Sequence, residues 1–350
     1  MRILILSDQN KFSRAFDDFY PFYRWNKFFK KDGIHIKIIY NHSQFNSYNY
    51  DYAIISTRVI FENRKAFGDF LIKLKQRIPK VLLYDTCDTS GIVDFDLLKF
   101  VDGMIKKQVL KNREFYLENK NDLSVRPWLK NMPKNPSYLD YTPAKVKDLN
   151  KILVGWNVGL CDYRNFPLHS GLISNYYTTP LKKYNFDILI NNKRNLTSFR
   201  GALNYGNPEI SFQRNEMLKY FKESKLDGII TGGKINKSNY LKELRGSKIV
   251  LSPFGFGEIC YRDFEAMLSG SLLIKPTMNH VDTFPDLFIE NETYIPLNWD
   301  LSDLNEKIID INSNYGDYIK VSRNAFEKFY FFQNSYNEFK MFFLNCIGKV

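Results

Sequence analysis

The chain has 350 residues, enough for two domains, and its 44% hydrophobic and 16% aromatic content allows a sizeable core. No apolar run reaches the roughly 18 residues of a membrane span, the N-terminal run is too short for a secretory leader, and the four cysteines and four histidines lack zinc-type or disulfide-type spacing. These exclusions predict a reduced, cytoplasmic protein, and the net charge of +12 favours acidic partners: nucleotide phosphates, anionic lipid or nucleic acid.

The N-terminal half alternates short apolar runs with helical patterns. Such alternation predicts a parallel, doubly wound sheet with helices on both faces. An amphipathic helix is predicted over Asn63–Ile78, ended by Pro79. The predicted strands are Arg2–Leu6, Ile34–Tyr40, Tyr52–Ser56, Val81–Tyr84 and Val101–Lys106.

A basic and aromatic helical stretch runs from Phe12 to Lys31 and is interrupted at Pro21. Two interpretations stay open. It is either a surface that rests on a membrane or acceptor, which would place the protein at the inner face of the membrane, or an ordinary core-facing helix with a solvated lysine face.

Acidic residues follow two of the predicted strands. Asp8 follows the first strand, and Asp85 and Asp88 follow the fourth. Because the carboxyl ends of parallel strands carry the functional groups of such sheets, these side chains are expected to face a cleft. Asp88 is the first candidate for a catalytic base and Asp85 the second; the alternative for each is a turn-capping aspartate.

The stretch from 110 to 153 is mixed in pattern and punctuated by prolines, so it is predicted to hold interdomain loops and the domain boundary. Strands are predicted in the C-terminal half over Phe186–Asn191, Gly228–Thr231 and Tyr294–Leu297, and a final helix over Phe339–Ile347 behind a capping box at Ser335. The predicted units are 1–150, 151–333 and a C-terminal helix within 334–350.

The most informative segment is Ile249–Pro276, IVLSPFGFGEICYRDFEAMLSGSLLIKP. Its pattern predicts a strand, a glycine loop, a helix over Tyr261–Leu268 that Gly270 ends in a left-handed conformation, and a second strand over Ser271–Ile274. A helix that starts after a parallel strand points its free N–H groups at the crevice, where phosphate is readily bound.

Arg262 and Glu265 lie three residues apart and therefore share one face of that helix. A guanidinium can fork onto a diphosphate, and a carboxylate one turn later can accept both hydroxyls of a ribose. The pair is either such a nucleotide-binding pair or a surface Arg–Glu pair.

The pattern R-x-x-E-A-x-x-x-G followed by an apolar strand and proline resembles the donor site of GT-B glycosyltransferases, in particular bacterial and viral surface-polysaccharide enzymes. The resemblance implies two Rossmann-like doubly wound domains facing across a cleft, with the last helix returning to the N-terminal domain. It also implies that Arg262 contacts the diphosphate and Glu265 the ribose. Glu258 is one residue closer to Glu265 than the paired glutamate of many retaining members, which leaves its catalytic role and the stereochemistry open.

By position in the same fold, further donor-binding candidates are Arg200, Gly201, Arg214, Gly257 and Lys275, the arginines being solvated helix-end charges in the alternative. The implied function is transfer of a sugar from a nucleotide-sugar donor to a glycan or lipid-linked glycan acceptor in surface-polysaccharide assembly. No metal is expected to be required, since basic groups can stabilise the departing diphosphate. The alternatives are a phage-type glucosyltransferase acting on DNA and a non-catalytic nucleotide-sugar-binding protein.

Overall fold

The computed structural model describes residues 1–8, 14–45, 49–117, 142–163, 181, 183–201, 208–224 and 226–350. The start of the predicted helix at Phe12 and most of the predicted interdomain loops, 118–141, lie outside these ranges. The described first half contains helices α1 (Arg14–Arg24), α2 (Asn26–Lys31) and α3 (Arg64–Lys75). Its strands are β1 (Arg2–Leu6), β2 (His35–Ile39), β3 (Tyr52–Ser56), β4 (Lys80–Asp85), β5 (Gly103–Lys106), β6 (Gln108–Leu110) and β7 (Ile152–Val154).

Six of these strands form one parallel sheet in the order β2-β1-β3-β4-β5-β7. Both faces of this sheet are covered, which is why its strands are apolar at consecutive positions. In β1, Ile3 and Ile5 pack towards α1 and α2, whereas Leu4 and Leu6 pack towards α3.

The second half forms a separate parallel sheet in the order β13-β11-β10-β8-β9. Its strands are β8 (Asn195–Arg200), β9 (Ile229–Gly232), β10 (Ser247–Leu251), β11 (Leu272–Pro276) and β13 (Ile295–Leu297). Its helices are α4 (Phe186–Asn191), α5 (Pro208–Glu223), α6 (Lys237–Gly246), α7 (Tyr261–Leu268), α8 (Leu304–Ser313) and α9 (Tyr315–Asn334).

A short antiparallel ribbon joins the two halves. Its strands are β6 from the first half and β12 (Val281–Thr283) from the second. The ribbon adds backbone hydrogen bonds between the halves and fixes their relative position near the carboxyl ends of β5 and β11.

The last helix, α10 (Tyr336–Ile347), returns to the first half. Its Phe339 and Phe343 rings lie 5.3 and 4.9 Å from the ring of Phe22 in α1. The predicted fold class is thereby confirmed: two parallel doubly wound sheets in a GT-B arrangement, with a C-terminal helix that packs on the N-terminal half.

One predicted strand is wrong. Phe186–Asn191 forms helix α4, whose first turn is capped by the Asn185 side chain accepting a hydrogen bond from the Ile188 N–H. A short apolar run does not distinguish strand from helix, and the exposed Ile188 shows that one side of the run faces water. The first strand of the second sheet is instead β8.

Two boundaries also shift. β7 pairs with β5, so the first sheet continues past residue 150 to Val154. The predicted capping box at Ser335 is not formed: its hydroxyl donates to the Phe331 carbonyl oxygen at 2.6 Å, and α10 begins directly after it.

The aromatic residues of the 12–31 stretch divide between core and surface. Phe19, Phe22 and Phe29 are fully buried, as a core-facing helix requires, whereas Phe28 is 45% exposed. Contact with a membrane stays a prediction. In the described ranges, none of the helices combines the length and apolar character needed to cross a bilayer.

Candidate functional site

The carboxyl ends of the two sheets face each other across the domain boundary. The loop after β4 meets the loop between β10 and α7, and a Cβ atom at Gly257 would overlap the backbone carbonyl oxygen of Asp88. Beside this contact, the Tyr261 hydroxyl at the start of α7 donates to the Asp17 carboxylate at 2.7 Å. The N-terminal end of α7 therefore faces the first domain.

The order of strands marks one place in the second sheet for a ligand. From β8 the chain crosses to β9 on one side and then returns to β10 on the other side of β8. In open parallel sheets, the crevice beyond such a reversal is where ligands bind. Gly201 follows β8 there, and the loop Ser252–Cys260 follows β10.

Arg262 lies at this reversal. Its Nη2 donates to the Arg200 backbone carbonyl oxygen at 2.8 Å, and its guanidinium carbon lies 4.7 Å from the centroid of the Phe199 ring. Its Nε and Nη1 are buried and find no hydrogen-bond acceptor among the described residues. Leaving donors of a buried cation unsatisfied is costly, so an oxygen-rich anion would stabilise this arrangement.

Glu265 lies one turn further along α7. It accepts a hydrogen bond from the Tyr240 hydroxyl at 3.0 Å. Burial raises the pKa of the Glu265 carboxyl, and the Tyr240 hydrogen bond opposes that rise. Arg262 and Glu265 thus share one face of α7 at the carboxyl edge of the sheet, and one Glu265 oxygen already accepts from Tyr240.

Arg214 and the two glycines complete the described part of this crevice. Arg214 is only 5% exposed, and its Nη2 would lie 3.6 Å from a Cβ at Gly255. A Cβ at Gly201 would lie 3.2 Å from the Nη2 of Arg262. Arg214 therefore lies beside the Gly255 loop, and Gly201 keeps the backbone close to the Arg262 guanidinium.

Two of the predicted phosphate ligands are engaged elsewhere. The Arg200 guanidinium forks onto Glu243, with Nε and Nη2 at 2.8 and 2.9 Å from the two carboxylate oxygens. The Lys275 ammonium is fully buried, donates to Asp263 at 2.6 Å and supports the Glu258 carbonyl oxygen at 2.8 Å. The backbone carbonyl of Arg200 accepts from Arg262, while its guanidinium is held by Glu243. Lys275 neutralises the Asp263 carboxylate. Phosphate binding by Arg200 and Lys275 stays a prediction.

Glu258 bridges the domains. Its carboxylate is 1% exposed and accepts hydrogen bonds from the Ser90 N–H at 3.0 Å, the Ser90 hydroxyl at 3.0 Å and the Gln108 side-chain amide at 2.8 Å. All three donors belong to the first domain. The geometry makes Glu258 an interdomain hydrogen-bond acceptor, and its catalytic role stays a prediction.

Asp85 at the end of β4 and Asp88 just after it are each paired with a lysine at the end of β5. Lys106 is fully buried and donates to Asp85 at 2.8 Å, while Lys107 donates to Asp88 at 2.9 Å. The Asp88 side chain is 36% exposed and the Asp85 side chain 8%. Asp88 is therefore the more accessible of the two carboxylates, and the choice between them as catalytic base stays a prediction.

A third carboxylate, which the sequence patterns did not indicate, belongs to this cluster. Asp18 in α1 is buried and lies 3.7 Å from Lys107 and 3.4 Å from Arg58. Burial raises the pKa of the Asp18 carboxyl, and the charges of Lys107 and Arg58 oppose the rise. Lys106 and Lys107 could have been found from the sequence, because two lysines directly at the end of an apolar strand are unusual. Asp18 could not, because it lies within the aromatic helix α1 and follows no strand.

A cavity of about 760 Å³ opens beyond the carboxyl ends of β3 and β4. Asp85 and Asp88 lie in its wall, and Phe256 reaches it from the β10–α7 loop of the second domain. The same loop thus leads to the cavity at Phe256 and to the Arg262 crevice six residues later. No group of three or more metal-ligating side chains converges anywhere in the described ranges.

No protein-family model matches the chain, and no curated protein matches it. Solved structures of similar outline include T4 phage BGT in complex with its UDP-glucose substrate, with 12% identity over 99% of both chains and a TM-score of 0.47. An alpha-glucosyltransferase in complex with UDP and a 13-mer DNA has 12% identity over 99% of both chains and a TM-score of 0.46.

Anabaena HepE in complex with UDP-glucose has 10% identity over 100% of both chains and a TM-score of 0.45. With TM-scores below 0.5, these likenesses carry no conclusion about what this chain binds or does.

A methyl group at Gly257 tests the close contact between this residue and the Asp88 backbone carbonyl of the first domain. We expect Gly257→Ala to lower the free energy of unfolding by at least ~1–3 kcal/mol, because the added Cβ overlaps the Asp88 carbonyl oxygen. Thermal and urea unfolding measure the loss, and small-angle scattering measures any separation of the domains. Gly233→Ala is the matched control, since a Cβ there meets nothing within 4 Å. Equal stability of the two variants would contradict the contact.

Substitutions of Glu258 test its role between the domains. Glu258→Ala removes the acceptor of the Ser90 N–H and of one Gln108 N–H, and should lower the free energy of unfolding by ~1–3 kcal/mol or more. Glu258→Gln keeps an acceptor oxygen and should lose less than half as much. The exposed Glu306→Ala in α8 serves as control in the same urea titration. A Glu258→Ala protein as stable as the parent would show that the carboxylate does not hold the domains.

Proposed function

We propose that the chain is a glycosyltransferase that moves a sugar from a nucleotide-sugar donor to a glycan acceptor, with the donor diphosphate held in the Arg262 crevice. The observation that carries this proposal is the buried Arg262 guanidinium at the strand-order reversal of the second sheet, whose Nε and Nη1 find no acceptor among the described residues. Diphosphate oxygens are acceptors of suitable charge and spacing for a guanidinium.

The surroundings of Arg262 support a nucleotide rather than a simple anion. Glu265 on the next turn has carboxylate oxygens that can accept hydrogen bonds from ribose hydroxyls. The Tyr240 hydroxyl, which donates to one of these oxygens, would share the carboxylate with the ribose or move away. Arg214, beside the Gly255 loop, is proposed as a second cation for the diphosphate. Because Gly201 has no side chain, the diphosphate of the donor can approach the protein backbone closely there. The diphosphate would thus meet two cations and the ribose one carboxylate.

The first domain is proposed to hold the acceptor, with Asp88 as catalytic base. Asp88 would take the proton of the acceptor hydroxyl while the hydroxyl oxygen bonds to the anomeric carbon of the donor sugar. The bond from that carbon to the diphosphate breaks, and its electron pair leaves with the diphosphate, whose charge Arg262 and Arg214 stabilise. In this scheme no metal is needed. Surface-polysaccharide assembly is the setting that the sequence resemblance suggests for the acceptor.

A thermal-shift screen against UDP-, GDP-, CMP- and TDP-sugars tests donor binding directly. A ligand that binds only the folded protein raises its melting temperature by mass action. We expect one nucleotide class to give a concentration-dependent rise and release of nucleoside diphosphate on incubation. Binding without any release, in the presence of a broad set of glycans and duplex DNA, would favour a non-catalytic binding protein, and no binding at all would contradict the proposal.

Arg262→Met isolates the guanidinium. Methionine keeps an apolar stem against Phe199 but removes every donor, so we expect nucleotide affinity to fall about ten- to a hundredfold, as expected for one or two charge-assisted hydrogen bonds. Isothermal titration with the nucleotide found in the screen measures the loss. Arg323→Met is the matched control, because Arg323 also stacks on a phenylalanine, Phe186, at 4.4 Å. Unchanged affinity in Arg262→Met would remove the donor site from this crevice.

Asp88→Asn separates chemistry from donor binding. The amide cannot take a proton, so we expect the rate of nucleoside diphosphate release to fall by about 10²–10⁴-fold while nucleotide affinity stays within twofold. Asp96→Asn is the control, since Asp96 is an exposed aspartate of the same domain outside the cavity wall. If Asp88→Asn keeps the full rate, the same measurement on Asp85→Asn decides whether the second candidate is the base.

A further inference from the structure

We propose that the cavity beyond β3 and β4 receives one uncharged sugar ring of the acceptor, and that Phe256, from the opposite domain, is the residue that selects it by packing on the ring face. The proposal rests on the proposed function, because it assigns the acceptor side of that reaction. It adds a ligand class for the cavity and a specificity-determining residue on the donor-side loop.

The cavity has the size and the lining of a small-molecule site. Its volume of about 760 Å³ falls within the ~300–1,000 Å³ typical of such sites. Apolar and aromatic side chains form one part of the wall and polar groups the other. The apolar part consists of Val59, Phe61, Phe67, Ile92, Leu97 and Phe256.

This division of the wall matches a pyranose ring. A sugar ring presents a face of C–H groups that packs on an aromatic ring, and a rim of hydroxyls that need hydrogen-bond partners. Asn63, Thr57 and Thr89 supply neutral polar groups in the polar part of the wall. Each also has a partner in the protein: Asn63 accepts from the Ala66 N–H, Thr57 is bonded to Thr86, and Thr89 accepts from the Gly91 N–H. The Asn63 side-chain amide carries two N–H donors that can meet sugar hydroxyls.

The charges in the wall argue against a phosphate-bearing acceptor in the cavity. Its wall contains two cations, Arg58 and Arg64, and three carboxylates, those of Asp85, Asp88 and Asp94. Both arginines are already paired: Arg58 lies 3.4 Å from Asp18, and Arg64 contacts Asp94. A nucleic-acid backbone binds where cations exceed carboxylates, which is not the balance here.

Phe256 is held rigidly at the cavity rim although 39% of it is exposed. The next two residues are fixed to the first domain, Gly257 against the Asp88 carbonyl and Glu258 by its three hydrogen bonds. On the other side, the Phe254 N–H donates to Gln213 at 3.0 Å. An exposed aromatic ring on a loop fixed at both ends is pre-organised, so little conformational entropy is lost when a ligand packs on it.

The position of Phe256 also explains why acceptor selection would belong to this loop. Phe256 lies beside Asp88, the proposed base, and six residues before Arg262, the proposed diphosphate ligand. A ring packed on Phe256 would therefore be placed with respect to both groups by one short segment. Removal of the aromatic ring should impair acceptor binding and leave donor binding intact.

Saturation-transfer NMR with simple sugars tests this inference without knowledge of the natural acceptor. The probes are methyl β-D-glucopyranoside, methyl β-D-galactopyranoside, N-acetyl-D-glucosamine, cellobiose and lactose, each with the nucleotide found in the donor screen. We expect the parent protein to saturate ring C–H protons of at least one probe. The signal should fall at least fivefold in Phe256→Ala, persist in Phe256→Trp, and persist in the control Phe331→Ala, an exposed phenylalanine on α9.

The outcomes separate this inference from the function on which it rests. A parent protein that binds a nucleotide but none of the sugars, or a Phe256→Ala protein that binds sugars as well as the parent does, overturns the inference and leaves the donor assignment standing. Duplex DNA that binds at low salt while no sugar does also overturns it and indicates a nucleic-acid acceptor. If no nucleotide binds in isothermal titration, the proposed function fails, and the acceptor assignment fails with it.

Discussion

The relative position of the two domains depends on a carboxylate buried between them. Glu258 belongs to the β10–α7 loop of the second sheet, yet its carboxylate accepts three hydrogen bonds from Ser90 and Gln108 of the first domain. Lys275 donates to the Glu258 backbone carbonyl oxygen at 2.8 Å. A buried carboxylate is stable only where its lone pairs are met. Because Ser90 lies in the loop after β4 and Gln108 begins β6, these donors fix the position of the loop, and with it the positions of Phe256 and the start of α7.

Buried lysines make this crowded arrangement of carboxylates possible. Lys106, Lys107 and Lys275 each stand at the carboxyl end of a strand and neutralise Asp85, Asp88 and Asp263 respectively. Such pairs need not add stability, since desolvation of both charges offsets their attraction. Their effect is on geometry and on charge: they fix the carboxylates at the carboxyl edges of both sheets and limit the repulsion between them, while Arg262 keeps two donors that the described residues do not satisfy.

Much of this fold could be predicted from local patterns because it consists of parallel strands buried on both faces. Runs such as Arg2–Leu6 and Tyr52–Ser56 are apolar at consecutive positions, and Gly270 ends α7 with a φ of 63°, as its place in the sequence indicated. The strand predicted at Phe186–Asn191 was wrong, because a six-residue apolar run is compatible with both the helical and the strand period. The site was harder: the place of Arg262 follows from one motif, whereas the pairing of Arg200 with Glu243 joins residues 43 positions apart and is visible only in three dimensions.

The net charge of +12 and the nearly balanced charges of the cavity concern different parts of the molecule. An excess of cations over the whole chain attracts anions of every kind at long range and so does not distinguish a nucleotide from a nucleic acid. Selection has to come from groups within hydrogen-bond or contact distance, and there the two sides of the cleft differ. Arg262 offers donors that the described residues do not satisfy, which suit a diphosphate. In the cavity at Phe256, both arginines are already paired with aspartates, and an aromatic face is presented. One loop of the second domain leads from the cavity to the crevice, so a charged donor and an uncharged acceptor would meet at the ends of a single rigid segment.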